Sequence, residues 1–496
     1  MTTFLAQIRT ALAAFTTLVG LASCGAGVDE GQKLAQVHCA GCHQFPSPAL
    51  LDKKTWQNGV LPQMAHWLGV VPIGGASGMS FQELEAVQKS GVFPKSPQVT
   101  EAEWRLIKKY YLQNAPDSLV IPVPQACQSL DSVFKVQPYS KITEPVVFID
   151  SDKKNKNVLV ATRLGKLLRL MPATGAAVDS LQLFGTFTDL EQNADGTLGF
   201  TFVGNMNPNV FKEGSFVVAQ PKGKTFVPRH RINDLARPVH SALADFNADG
   251  QQDVVVCSYG YYAGELAWYE FDAQKKTIKH LLLADPGAQY VTVRDLNGDH
   301  HPDIAVLMGQ AREGVYFFLN DGHGQFTQKQ VLSFPPVYGS SSFELVDFNR
   351  DGFLDVLYTN GDNADYSIIL KPYHGVRVFL NDGKNGFKFA YFFPMAGASK
   401  AVARDFDGDG DLDIAAISFF PNAQVTPNRG FVYLQNNGRL QFMPFASTNT
   451  DAGRWLMMDS HDYDQDGHPD LLLGSGGQTL HGGSSLLLLK NKMRQR

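Results

Sequence analysis

A nine-residue acidic segment occurs five times in the C-terminal half of this 496-residue chain: DFNADGQQD from Asp245, DLNGDHHPD from Asp295, DFNRDGFLD from Asp347, DFDGDGDLD from Asp405 and DYDQDGHPD from Asp462. Successive copies start 50, 52, 58 and 57 residues apart. A period of about 40 to 60 residues marks an array whose units bury their apolar faces against one another. This length suits the four-stranded blade of a β-propeller.

Each copy carries Asp or Asn at positions one, three, five and nine. These are Asp245, Asn247, Asp249 and Asp253; Asp295, Asn297, Asp299 and Asp303; Asp347, Asn349, Asp351 and Asp355; Asp405, Asp407, Asp409 and Asp413; and Asp462, Asp464, Asp466 and Asp470. Alternating acidic positions let successive side chains converge on one cation, helped by the backbone carbonyl of position seven. The logic is that of an EF-hand loop shortened so that its last carboxylate falls at position nine. Gly at position six permits the sharp turn. His300 takes that place in the loop from Asp295, so this loop is expected to depart most from the others. Carboxylates this dense repel unless a cation sits among them. About five Ca²⁺ would carry the chain from its formal −5 to about +5.

The units share a grammar. Apolar runs enter and leave each loop, as in Phe343–Val346 and Asp355–Tyr358, and a third run follows, as in Gly314–Leu319. The turns Asn320-Asp321-Gly322, Asn381-Asp382-Gly383 and Asn436-Asn437-Gly438 then feed a fourth strand, because Asn and Gly tolerate positive φ. Two degenerate units precede the five: Val146–Asp152 leading into Asn157–Val160, and Asn205–Asn209 leading into Gly214–Val218. Seven units over about 360 residues give a seven-bladed propeller spanning 136–496, with six and eight blades open as alternatives.

The N-terminus reads differently. Residues 1–23 have the form of an export signal: Arg9, then the apolar run Leu12–Leu21, which is too short to span a bilayer comfortably. Leu21-Ala22-Ser23-Cys24 resembles a bacterial lipobox. That implies lipidation at Cys24 and a membrane anchor in the cell envelope, facing the periplasm or the cell surface.

Cys39-Ala40-Gly41-Cys42-His43 is the C-x-x-C-H attachment motif of c-type haem. Cys39 and Cys42 would form the thioethers, and His43 is placed as an axial ligand of one covalent haem c. A zinc reading needs further ligands, and no second Cys pair lies nearby. Cys127 and Cys257 remain; a disulfide between them is possible in an oxidising compartment, and two unpaired thiols are the preferred expectation. Trp56, Val60, Met64 and Trp67 recur at helical spacing. Thr100-Glu101-Ala102-Glu103 is a capping box for a helix that carries Trp104, Ile107 and Tyr110 and ends at Asn114-Ala115-Pro116.

With these features, residues 24–117 resemble a small all-α class I cytochrome c domain, in which the C-terminal helix packs against the N-terminal one. WQNGVLPQM resembles the W-x3-V-L-P-x-M segment of haem domains fused to propellers, which points to Met64 as the sixth iron ligand. Met79, after the loop 74–78, is the alternative, His66 a third choice, and an open site a fourth. A thioether ligand raises the reduction potential and suits electron transfer.

The acidic loops resemble FG-GAP/VCBS repeats such as those of integrin-type propellers. The whole chain resembles bacterial envelope lipoproteins that join a monohaem cytochrome c domain to such a propeller. The resemblance implies a multidomain protein: an all-α cytochrome c domain, a linker over 118–135, and an all-β propeller with structural calcium on one face. On the opposite face, loops between second and third strands carry Tyr259, Tyr261 and Tyr262, then Gln310 and Arg312, then a long polar stretch over 359–374. Blade-joining loops are expected to add Arg237, His240, Lys400 and Arg454. Tyr259, Arg312, Asp362, Asp365, Tyr366 and His374 form the candidate binding surface.

The chain has no HExxH, G-x-S-x-G or P-loop motif, and its negative net charge offers no nucleic-acid footprint. The leading functional expectation is haem-based electron transfer to a protein redox partner. A haem-linked dehydrogenase acting on a sugar or alcohol, and a binding protein for polysaccharide or a surface partner, are the alternatives.

Overall fold

The computed structural model describes residues 29–74, 79–223, 225–271, 276–364, 367–479 and 483–493. Beyond residue 128 the described chain is strand-rich. It resolves into sheets covering 146–182, 187–235, 238–283, 288–333, 340–394, 398–446 and 455–491, taken here as blades one to seven. Consecutive strands pair antiparallel within each blade. First strands of successive blades touch all the way round, and that of blade seven meets that of blade one. The ring is therefore closed at seven, and the six- and eight-bladed alternatives fall.

The closure uses the beginning of the domain. Phe134–Pro138 is the outermost strand of blade seven, antiparallel to Leu486–Asn491. Gln128–Ser129 adds a fifth, parallel strand outside Phe442–Ala446 on blade six. The propeller thus starts at Gln128, inside the segment expected to be a linker.

Second strands show why apolar runs rather than alternation mark these units. Asp253–Ser258, Asp303–Met308, Asp355–Asn360, Asp413–Ser418 and Asp470–Ser475 are buried at every position. A strand in the middle of a blade is covered on both faces by neighbouring blades, so both sides select apolar residues. Each fully buried Val, Leu or Ile contributes about 1.5–3 kcal/mol relative to exposure.

Blade two corrects one expectation. Its first two strands are Phe187–Gln192 and Leu198–Phe202, so the counterpart of the acidic loop is 193–197. Asn205–Asn209 lies between the second and third strands, at the other end of the blade. The two turns look alike in sequence because both close on Asn side chains: Asn205 accepts from the N–H of Asn207, and Asn209 from that of Phe211. His240 and Lys400 also move. They sit within the first strands Pro238–Ala244 and Ala398–Arg404, not in the blade-joining loops.

The N-terminal region is helical: α1 (Glu30–Cys39), α2 (Lys53–Thr55), α3 (Leu61–Trp67), α4 (Phe81–Ser90) and α5 (Glu101–Asn114). A π turn, Trp56–Val60, joins α2 to α3; the Leu61 N–H reaches back to the Trp56 carbonyl, and Pro62 has no N–H to continue the ladder. α5 opens with the capping box: Glu103 N–H donates to Thr100 Oγ1 at 3.2 Å, and Thr100 N–H to Glu103 Oε2 at 2.7 Å. α1 crosses α5 so closely that a Cβ on Gly31 would lie 2.4 Å from the Leu106 carbonyl oxygen. Glycine is required there by space.

The helices bury Trp56, Leu61, Trp104, Ile107 and Tyr111, and Val337 and Ile369 of the propeller pack against the same core. Tyr262 places its ring 6.0 Å from Trp67 and 5.3 Å from Phe93. Tyr373 donates its hydroxyl to the Leu50 carbonyl at 3.0 Å. The propeller residues in these contacts come from blades three and five and from the connection entering blade five. All lie at the end of the blades opposite the acidic loops, so the helical domain is seated on that face.

Candidate functional site

Cys39 is the last residue of α1 and is half-buried, Cys42 is exposed, and both are free thiols. Burial pushes the Cys39 thiol up to about 11, with a side-chain hydrogen bond between it and Tyr111 opposing. His43 follows at once. Its Nδ1 lies 3.0 Å from the Gln44 carbonyl oxygen, and burial lowers its pKa. A carbonyl only accepts, so a neutral ring places its proton on Nδ1 and keeps the Nε2 lone pair for a ligand. Met64 is half-buried and packs on the helical core together with Cys39 and Phe45. Met79 is half-buried beside residues 75–78, which lie outside the described residues. His66 has its Nδ1 2.9 Å from the Val71 carbonyl on the exposed side. Cys24 and the signal segment also lie outside the described residues.

The chain after His43 is held by every second carbonyl. Gln44 O faces His43 Nδ1, Pro46 O accepts from Tyr111 Oη at 2.9 Å, and Pro48 O accepts from Trp56 Nε1 at 2.8 Å. Leu50 O accepts from Tyr373 Oη of blade five. The first three anchors belong to the helical domain and the fourth to the propeller. No sequence signal announces this ladder, because each acceptor is backbone.

The five acidic loops have one geometry. The first Asp accepts the position-six N–H through Oδ2 at 2.8–2.9 Å in every copy, His300 included. Position four and position six are both left-handed: Ala248 and Gly250, Gly298 and His300, Arg350 and Gly352, Gly408 and Gly410, Gln465 and Gly467. His300 takes up φ +68° like its glycine counterparts, so the expected departure of its loop is not seen. In the two loops with Asp at position three, Asp405, Asp407 and Asp413, and likewise Asp462, Asp464 and Asp470, bring one carboxylate oxygen each within 4.8 Å of the others.

The ninth Asp is a fold staple as well. Its Oδ2 accepts the position-two N–H, from Phe246, Leu296, Phe348, Phe406 or Tyr463, at 2.9–3.3 Å. Its Oδ1 accepts the N–H of an Asn that ends the third strand in four blades: Asn320, Asn381, Asn436 and Asn491. Asn320 and Asn491 also donate across to the preceding blade, to the carbonyls of Phe246 and Phe406. The recurring Asn was visible as turn chemistry; its service to the ninth Asp was not. Blade three has Phe271 in that place, and there Asp253 Oδ1 is buried with no hydrogen-bond partner, as is Asp464 Oδ1 in blade seven. Burial, with neighbouring carboxylates adding and backbone donors opposing, pushes Asp253 and Asp413 up to about 7 and Asp470 to about 6. Converging carboxylates, orphaned oxygens and raised pKa values are what a hard divalent cation would relieve, so this donor set fits calcium.

The described residues of the candidate surface on the other face each have local partners of their own. Tyr259 faces Arg237, whose guanidinium carbon is 5.3 Å from its ring. Arg312 pairs with Asp285 at 3.5 Å. Asp362 closes a local turn by accepting from Ala364. His374 is buried, and burial holds its pKa well below the ordinary value. Asp365 and Tyr366 lie outside the described residues. Two residues of the 359–374 stretch, Ile369 and Tyr373, support the helical domain. Cys257 is fully buried in blade three and Cys127 half-buried near blade six, and both are free thiols.

A family model described as "FG-GAP-like repeat" matches residues 245–306, 295–358 and 405–473. The chain therefore carries FG-GAP repeats, built into a seven-bladed β-propeller. Integrin alpha-4 of Xenopus laevis is 30% identical over 149 residues, which cover 27% of this chain and 14% of that protein. Similar solved structures include the beta-propeller domain of Myceliophteria thermophila Cps50 (Swd1), at 9% identity and TM-score 0.44, covering 70% of this chain and 96% of that one. Saccharomyces cerevisiae Sqt1 gives 10% identity and TM-score 0.45, covering 75% of this chain and 100% of that one.

Proposed function

We propose that this chain is an envelope-anchored c-type haem protein that transfers electrons, with its propeller as a calcium-stiffened scaffold and docking body. The observation that carries the reading is the setting of CAGCH: two free thiols at the end of α1, then a histidine whose Nδ1 is engaged by a carbonyl, in a domain closed by a glycine-dependent crossing of α1 and α5. Cys39 and Cys42 would hold the haem, His43 would ligate through Nε2, and Met64, or Met79 in its place, would supply the sixth ligand. When bound, haem c supplies one-electron chemistry. The Gln44 carbonyl favours one imidazole tautomer, and Phe45 and Met64 pack with Cys39 on the helical core. The lipobox resemblance at Cys24 supports anchoring in the bacterial envelope. Five acidic loops support about five structural Ca²⁺.

We favour electron transfer over oxidation of a sugar or alcohol at the propeller mouth, because loops that would form the mouth are engaged by the helical domain. The test is anaerobic visible spectroscopy of the ferric, calcium-loaded protein mixed with pools of sugars, alcohols and polysaccharide fragments. Electron transfer predicts the ferrous c-haem band with dithionite and with a reduced small redox protein, and none with the pools. Reduction by a pool would make the protein a dehydrogenase.

A further inference from the structure

The seat of the helical domain on the propeller ends on the very segment that follows the haem-motif histidine. Four alternate carbonyls of residues 44–50 are each met by one side chain, and the series runs His43, Tyr111, Trp56, Tyr373. The segment is bent at His43 and Gln44 and closes in a 3-10 turn over Pro48–Leu50, and with every second carbonyl fixed a restraint at one end limits displacement at the other. Tyr373 is itself held rigidly. Its ring stacks on Tyr338 at 4.8 Å and 13°, and Arg377 donates to its carbonyl at 2.6 Å. Arg377 is in turn buried, and its guanidinium carbon lies 4.2 Å from the centre of the Phe392 ring. The hydroxyl that reaches Leu50 is thus carried by the packed top of blade five. A domain that used the propeller only as a tether would have no need to engage this segment.

We infer that Tyr373 is a positioning residue for the haem-motif histidine: through Leu50 it couples the docked state of the propeller to the orientation of His43. The inference rests on the haem reading of CAGCH. Its consequence is that a partner gripping blade five alters the haem's electronic properties without touching the haem domain.

The experiment compares Tyr373→Phe with Tyr338→Phe in the full-length holoprotein. The first removes only the hydroxyl; the second removes a hydroxyl of the stacked ring and leaves the Leu50 bond. Three readouts are taken. Pyridine haemochrome establishes covalent haem in all three proteins. Hydrogen exchange of residues 44–51 reports the segment, and needs no haem. Ferric EPR g-values, with the reduced-to-oxidised ratio at a fixed dye poise, report His43. Loss of one ordinary hydrogen bond is expected to speed exchange in 44–51 about fivefold in Tyr373→Phe. The g-values and the redox ratio should move in that variant alone, and the ratio should change at least about twofold. Faster exchange with unmoved g-values and ratio would make Tyr373 a docking residue only and overturn the inference. Equal effects in both variants would overturn it too, because the stack and not the hydroxyl would then matter. Absence of haemochrome in the wild type would remove the haem reading itself and the inference with it, even if exchange responded.

Discussion

Blades one and two occupy the same ring as blades three to seven, yet their first loops solve the same problem differently. In blade one, Asp152 satisfies its loop internally: Oδ1 accepts from the N–H groups of Lys154 and Asn155, Oδ2 accepts from Asn155 Nδ2, and Arg169 stands 3.5 Å away as a counter-charge. In blade two, Asp195 accepts from the N–H and hydroxyl of Thr197, and Asn193 donates to that hydroxyl. Both loops close with one or two acids and local donors. In blades three to seven, four acidic or amide side chains point into each turn, and the buried ninth Asp bears the repulsion. The first kind of loop needs nothing from outside; on the proposed calcium reading the second would be completed by a cation, with Lys490 a partial counter-charge to Asp464 and Asp466 in blade seven. On that reading, the ring would have a metal-independent sector where it begins and a metal-dependent sector around the rest.

The largest effect should come from removing calcium. Each site at a hundredfold excess of Ca²⁺ over Kd contributes about 2.7 kcal/mol, so dialysis against a chelator should lower the propeller Tm by about 10 °C or more. Hydrogen exchange should accelerate in the five acidic loops and stay unchanged in 152–157 and 193–197. Equal acceleration in all seven loops would break the comparison.

Single substitutions sharpen it. Asp413→Ala strands the N–H groups of Phe406 and Asn436 and, on the proposed calcium reading, would lose a cation ligand. It should cost about 3 kcal/mol with calcium present and clearly less without it, measured by denaturant unfolding. Asp152→Ala should cost the same in either condition.

Acidity gives a smaller, signed effect. A carboxylate whose pKa is raised on folding holds its proton more tightly in the folded state, so ionising it costs stability. For Asp253 and Asp413, pushed up to about 7, metal-free stability should fall as pH rises from about 4 through about 7 and then level off. Calcium competes with those protons. Its stabilisation should therefore be slight near pH 5 and full above about pH 8, and titration of Tm with and without Ca²⁺ checks the sign. The smallest effect is local: Ala248 sits at φ +58°, so Ala248→Gly should stabilise by about 0.5 kcal/mol in thermal melts.

The contrast between sectors also marks what could be read from residues. Loops with five shared acidic copies were legible, and so was the blade count, because period and turn chemistry both act over short stretches of chain. The capping box at Thr100 and Glu103 was legible for the same reason. Blade two was misread because Asn205 and Asn209 form turns by the chemistry the acidic loops use, and only strand pairing separates the two ends of a blade. The closing strand Phe134–Pro138 pairs with a segment about 350 residues away, and no local pattern reports that. The polar stretch over 359–374 stood out as a candidate binding surface, but its residues could not say that Ile369 and Tyr373 meet the chain's own helices. The carbonyl ladder after His43 was beyond reach, since its acceptors carry no side-chain signature.

The central claim is that the helical domain carries haem c through CAGCH. Expressed in a host that performs cytochrome c maturation, the wild-type chain and the Cys39→Ala/Cys42→Ala variant can be compared by pyridine haemochrome after acid-acetone extraction. One non-extractable haem per wild-type chain, and none in the variant, is the predicted result. A wild-type chain that folds into its calcium-loaded propeller and retains no covalent haem would contradict the account.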